Sequence, residues 1–149
     1  MTTTAPAVTH TVVAADVMSA PVWTVSPETS PWAAWDLMVR HAIRHLVVVS
    51  GSRCVGVLED RELFAQWPMG PLALRRSRIG GMLRARTTCV LPDTDIRDVA
   101  AVMREERVDA VPVVDAQGAL VGVVTGSDLF AAVVRCGLNQ PDEGSACGS

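Results

Sequence analysis

Short apolar bursts punctuate this chain. Residues 22–25, 46–49, 54–58, 87–90, 110–114 and 120–124 are runs of four or five positions, most of them rich in Val and Leu. Such lengths, with β-branched residues prominent, predict strands. Between some of them the period lengthens to that of a helix. Ile96, Val99, Ala100 and Met103 fall at i, i+3, i+4 and i+7, and Pro31, Ala34, Trp35 and Met38 hold the same places earlier in the chain. Each set predicts an amphipathic helix laid on a sheet. Ser30 with Pro31 behind it, and Asp95 with Asp98 three residues on, supply the helix starts. The segments Ser50-Gly51-Ser52-Arg53 and Asp115-Ala116-Gln117-Gly118 supply hairpin turns, and further helices open near Asp60 and Ser127.

The order of elements occurs twice. Val25-Ser-Pro27-Glu-Thr returns as Val90-Leu-Pro92-Asp-Thr at an offset of 65. Met38 then aligns with Met103, and residues 46–49 align with 111–114. Past the next turn the offset becomes 66, so that Gly56 matches Gly122 and Glu62 matches Asp128. A turn absorbs one extra residue without disturbing the strands it joins. Each unit reads strand, helix, strand, strand, helix, in roughly 50 residues, near the lower limit for a self-sufficient core. Two units must therefore pack together. The predicted fold is α/β (α+β): two βαββα repeats related by a pseudo-two-fold axis, with three-stranded sheets and clefts between the copies. By this reading residues 1–14 are a flexible leading segment, 15–68 the first repeat, 69–78 a linker, 79–136 the second repeat and 137–149 a flexible tail.

At 149 residues and a net charge of -3, the chain has no general cationic surface to recommend nucleic acid or an acidic membrane as a partner. Arg75, Arg76, Arg78, Arg84 and Arg86 cluster, and a solvated linker face accounts for them. Cys54, Cys89, Cys136 and Cys147 are scattered without metal or disulfide spacing, which predicts reduced thiols. No apolar run approaches the ~18 residues of a membrane span, and the first residues lack a signal-peptide pattern. A cytoplasmic protein is expected.

Chemistry concentrates where the run 120–124 ends. Thr125, Ser127 and Asp128 stand at a strand-to-helix junction, where unpaired N–H groups and the positive end of a helix dipole suit a phosphate. The hydroxyls add donors, and Asp128 adds an acceptor for a diol. Phosphate beside diol describes a ribonucleotide. The same residues also spell a capping box, in which hydroxyl and carboxylate do no more than satisfy the helix start.

Asp16-Val-Met18 with Gly81-Met82-Leu83, the doubled Val-x-Pro-x-Thr, Val111-Pro112-Val113-Val114-Asp115 and Gly122-Val-Val-Thr125-x-x-Asp128-Leu129 together resemble the cystathionine-β-synthase (CBS) domain. The resemblance covers about residues 15–134. It is to a tandem pair, or Bateman module, of the stand-alone bacterial kind that includes hypoxic-response proteins. It implies a non-catalytic module that binds an adenosine-containing ligand such as AMP, ADP, ATP or S-adenosylmethionine, forms a homodimer and signals to a protein target. Carried over by position, Thr125, Ser127 and Asp128 would hold ribose and phosphate, with Ala20, Ile43, Arg44 and His45 completing the site from the first repeat. No resident cofactor is implied.

The companion site departs from that pattern. Glu59 stands for the Thr and Glu62 for the Asp, while Val108, Asp109 and Ala110 face them and place an acid where the first repeat has Arg44. Glu59 and Asp109 would repel a phosphate, with Arg61 as the compensating charge. One competent nucleotide site per chain is expected, the other being empty or holding a ligand without phosphates.

His41 and His45, four apart, lack a third ligand at metal spacing, so no metal is expected. Trp32, Trp35 and Trp67 read as core or dimer-interface residues, and Trp23 as a neighbour of a base. No nucleophile, base and orienting residue occur together, which argues against an enzyme. The rival to a ligand sensor is a ligand-independent dimerising or stress-response scaffold.

Overall fold

A computed structural model describes residues 10–138; residues 1–9 and 139–149, parts of the expected flexible ends, lie outside the described residues. The elements run α1 (Ala14–Val17), β1 (Thr24–Val25), α2 (Pro31–His41), β2 (His45–Ser50), β3 (Arg53–Glu59), α3 (Asp60–Gln66), α4 (Pro71–Arg76), α5 (Ile96–Glu106), β4 (Ala110–Val114), β5 (Leu120–Thr125) and α6 (Gly126–Leu138). In the first sheet β1 is parallel to β2, and β2 is antiparallel to β3; β4 and β5 form an antiparallel pair. Both hairpins carry a register shift, at Val48/Val49 and at Val113/Val114, so the repeat extends to its irregularities. Mixed helix and strand content in two related halves is the α+β architecture read from the sequence.

Local chemistry explains the helices. The Ser30 hydroxyl accepts from the Ala33 N–H at 3.1 Å, and Pro31 opens α2 where its missing N–H costs nothing. Asp95 caps α5 by accepting from the Arg97 N–H at 2.8 Å. Its carboxyl is held down at about 2 by the hydrogen bonds from the Arg97 side chain and backbone. At the far ends Ala42 (φ 51°) and Arg107 (φ 55°) turn left-handed, and the next N–H groups, of Ile43 and Val108, return to the Met38 and Met103 carbonyls at 3.0 Å. That six-to-one closure ends each helix and aims the chain into the following strand.

Three expectations require correction. Residues 87–90 do not form a strand; Val90 alone makes a parallel bridge, to Val113, so the second sheet has two strands instead of three. The cause is legible in the alignment of the repeats. In the first half the Val47 N–H donates to the Trp23 carbonyl at 3.2 Å, and the residue equivalent to Val47 is Pro112, which has no N–H to give Thr88. Ala100 is exposed, because the inward stripe of α5 runs through Val99 and Met103 with Val102 packed against them. The leading segment is not unpacked as far as residue 14. Val13 bridges Asp95, and Ala14, with no exposure, donates its N–H to the Thr94 carbonyl at 2.8 Å.

That last contact reflects an exchange between the halves. Ala14 and Val17, ahead of β1, complete the core of the second half, with Val99, Val111, Val113, Val124 and Ala132. Ile79, Met82 and Leu83, ahead of α5, complete the core of the first half, with Ala34, Met38, Leu46, Val48, Leu58 and Leu63. Neither half closes its core alone, and burial of apolar surface across the exchange binds them into one body. The segment read as a linker contributes too: Leu74 of α4 is buried, and Arg75 lies 4.7 Å over the Trp32 ring. Trp35 packs edge-on against Phe64 and Trp67, at 4.7 and 5.4 Å between ring centroids, and Trp67 stacks on Trp32.

A candidate adenosyl cleft between the repeats

The exchange brings Ser19 to β5. The Ser19 and Val123 backbones pair in both directions, at 2.9 and 3.1 Å, and the chain then runs through a cis Ala20–Pro21 peptide to Trp23. This segment forms one wall of a cleft of about 280 Å³. Pro21, Val22 and Trp23 make that wall; Ile43, Arg44 and His45, delivered by the left-handed turn after α2, make the second; Val123, Thr125 and Ser127, at the β5–α6 junction, make the third. The volume is near the lower end of small-molecule sites. The cleft is apolar on the Val22, Trp23 and Ile43 side and carries hydroxyls at the start of α6.

Five of the seven residues expected there, Ile43, Arg44, His45, Thr125 and Ser127, line this cleft, whereas Ala20 and Asp128 do not. Ala20 lies between two lining residues. Asp128 is turned back on the chain: its Oδ2 accepts from the Thr125 N–H at 2.8 Å and the Thr125 hydroxyl at 2.9 Å, while its own N–H reaches Thr125 Oγ1 at 3.3 Å. That is the capping box in full. Arg44 is engaged as well, its Nε donating to Asp60 Oδ2 at 3.1 Å. Sequence reasoning missed Ser19, Pro21, Val22, Ala42, Val47 and Val123. Trp23 was the available signal for that wall, and it is held there by stacking on His41 at 3.7 Å.

His45 is half-buried and pairs across the sheet with Glu59. Burial pushes its imidazole below the usual range, although Glu59, Asp109 and Asp60 pull the other way. Ligand atoms of His45, Glu59 and Asp109 come within 4.8 Å of one another, a grouping the sequence did not suggest; His41, considered beside His45, is not in it. A mixed nitrogen and oxygen set of this kind suits a divalent transition metal. Glu59, however, is already committed. It is 4% exposed, its Oε1 accepts from the Asp109 N–H at 2.9 Å, and its Oε2 pairs with Arg61 Nε at 2.6 Å. A cation would have to displace Arg61.

The companion site is filled by its own side chains. Glu59, Glu62, Val108 and Ala110 converge with Arg84 and Glu106 around only about 20 Å³, room for roughly one water. Glu62 accepts from the Glu59 N–H at 2.9 Å, completing a cap for α3, and faces Arg84 Nε at 3.8 Å. Arg84 and Arg61 donate to the carbonyls of Glu106 and Arg107, at 2.6 and 2.7 Å. Arg61 and Asp109 brace this cluster without lining the residual space.

Two related halves with exchanged leading segments, and an open cleft at the β5–α6 junction, define a tandem CBS pair. The family model for the CBS domain matches residues 13–66 and 79–135, and the chain belongs to that family. Inosine-5′-monophosphate dehydrogenase of Thermoplasma acidophilum is 28% identical over 109 residues, 73% of this chain and 21% of the relative. Homoserine O-acetyltransferase of Methanococcoides burtonii is 31% identical over 122 residues, 81% of this chain and 24% of the relative. The chain thus spans between a fifth and a quarter of these relatives. Among solved structures, Hypoxic Response Protein I with two coordinated zinc ions superposes with a TM-score of 0.70 at 29% identity, covering 81% of this chain and 98% of that one. CBSX2 of Arabidopsis thaliana in complex with AMP gives 0.72 at 26%, covering 84% and 98%. Among the described residues, no helix is long and apolar enough to cross a membrane.

Proposed function

We propose that this Bateman module is a non-catalytic regulatory sensor that binds one adenosine-containing ligand per chain in the cleft between Ile43–His45 and Thr125–Ser127. One observation carries the reading: an apolar slot walled by Val22, Trp23 and Ile43 leads to the Thr125 and Ser127 hydroxyls at the start of α6. A base fits the slot, and a phosphate or ribose suits the hydroxylated end. CBSX2, of the same architecture, is solved with AMP, which supports that ligand class. Within this reading Ser127 and the first N–H groups of α6 receive the phosphate, and Arg44 joins on leaving Asp60. Ala20 shapes the slot through its neighbours. Asp128 uses the oxygen not engaged by Thr125.

The filled companion site supports a single competent site per chain. A homodimer in the cytoplasm, reporting to a protein target, completes the proposal. The exposed apolar side chains Phe64, Trp67, Met69 and Leu72 favour a partnered face, because isolated monomers seldom leave such clusters open.

The scaffold reading keeps one specific support: Thr125 and Asp128 satisfy each other without any ligand. Thermal unfolding with AMP, ADP, ATP, S-adenosylmethionine and adenosine separates the two. Saturation at 100 times the dissociation constant adds about 2.7 kcal/mol to the native state. A raised midpoint with one compound supports the sensor. No change with any of them leaves the scaffold.

A further inference from the structure

Cys54 and Cys89 are 35 positions apart in the chain, one in each repeat, and they line the same cleft. Cys54 is the second residue of β3; Cys89 directly precedes Val90, the residue that bridges to β4. Both thiols are half-buried and line one cleft, open to water, with Arg53, Thr87 and Gln117 on its walls.

The two sulfurs are unequal. The neighbouring Cys89 thiol lowers Cys54 to about 7, against the opposing effect of burial. Cys89 is pushed up by the neighbouring Cys54, by burial and by the charge of Glu106. A thiol that gives up its proton readily, sharing a solvent-admitting cleft with a second that keeps its own, suits an attacking and a resolving cysteine.

We infer that Cys54 and Cys89 are a peroxide-sensitive modification site, closing to an intramolecular disulfide that ties the first repeat to the second. The Cys54 thiolate attacks one oxygen of hydrogen peroxide; the O–O bond breaks, hydroxide leaves and takes up a proton as water, and Cys54 becomes a sulfenic acid. The Cys89 sulfur then attacks the Cys54 sulfur. The S–S bond forms, the S–O bond breaks, and the oxygen departs as a second water carrying the Cys89 proton. The two thiols lose two electrons and the peroxide gains them. A dithiol reductant reverses the change. This site is separate from the adenosyl cleft and stands whether or not a nucleotide binds there.

The test uses the full chain carrying Cys136→Ser and Cys147→Ser, treated with equimolar hydrogen peroxide at neutral pH. The expected result is an intact mass lighter by two hydrogens, a peptide map with residues 54 and 89 joined, and restoration by dithiothreitol. In a Cys89→Ser chain, dimedone should label Cys54; in a Cys54→Ser chain, residue 89 should stay unlabelled at the same dose. Circular dichroism checks that each variant is folded. The inference is overturned if the folded parent keeps two maleimide-reactive thiols after peroxide, or forms only links between chains.

Discussion

The side chain of Met18 fills the space where Gly122 has no side chain. A Cβ at Gly122 would overlap Met18 Sδ and lie 3.2 Å from Met18 Cβ. The equivalent pair across the pseudo-two-fold axis is Leu83 and Gly56, where the added carbon would come to 3.0 Å from two Leu83 methyl groups. In each half, a strand glycine admits the apolar residue that the other half's leading segment delivers.

Gly122→Ala should therefore cost about 1–3 kcal/mol, the range for forcing an extra carbon into a packed interior. Denaturant unfolding of Gly122→Ala, Met18→Ala and the double variant forms the cycle that checks the cause. The penalty at 122 should shrink in the Met18→Ala background. An equal penalty in both backgrounds would point to strand flexibility instead of the Met18 contact.

Asp128→Ala should lower stability by about 1 kcal/mol with no ligand present, since it removes the carboxylate that accepts both Thr125 donors. Differential scanning calorimetry of the unliganded protein reads this directly. The effect is expected under either functional reading and sets the baseline for interpreting ligand shifts in this variant.

Ser127→Glu separates phosphate recognition from folding. Residue 127 is exposed in the first turn of α6, where an acid favours the helix by roughly 0.3–1 kcal/mol. The same charge would repel a phosphate at the cleft's hydroxylated end. The midpoint shift with AMP, ADP or ATP should fall while that with adenosine persists; equal retention of both would remove phosphate from this end.

His45 should contribute a loss of stability in mild acid. Burial holds its imidazole below its unfolded value of about 6.5, so below that pH the unfolded chain takes up a proton the native state resists. Stability falls as pH drops from 6.5 toward the lower native value. Midpoints measured from pH 7.5 to 5 should decline less in His45→Gln than in the parent.

Pro112→Val should return the missing ladder donor. Hydrogen exchange read at the new residue 112 amide should show protection comparable with that of Val47, its counterpart in the first repeat. Rapid exchange would show that something other than proline keeps residues 87–89 out of the sheet.

Pattern alone carried much of this molecule. The apolar runs, the paired helix stripes and the offset of 65 to 66 named the elements and the duplication, because strand and helix periods are local properties of the chain. Ser30, Asp95 and the Thr125–Asp128 box were legible for the same reason, since a capping side chain and the N–H that donates to it are three residues apart or fewer. The missing third strand was also written in the sequence, at Pro112, but only comparison with Val47 gives that proline its meaning.

Local pattern therefore carried the duplicated order of elements, the helix caps, and a strand-to-helix junction at Thr125 able to serve as anion site or cap, but not the loss of the second unit's first strand. The tertiary structure decided which core Ala14 and Ile79 complete, and that Ser19 to Trp23 wall the cleft. It also decided that Arg44 turns to Asp60, that Arg84 and Glu62 fill the companion site, and that Cys54 and Cys89 share a cleft. Each of these placements joins residues more than ten positions apart. Side-chain spacing along a chain encodes which face a residue takes, and not which distant segment will cover that face.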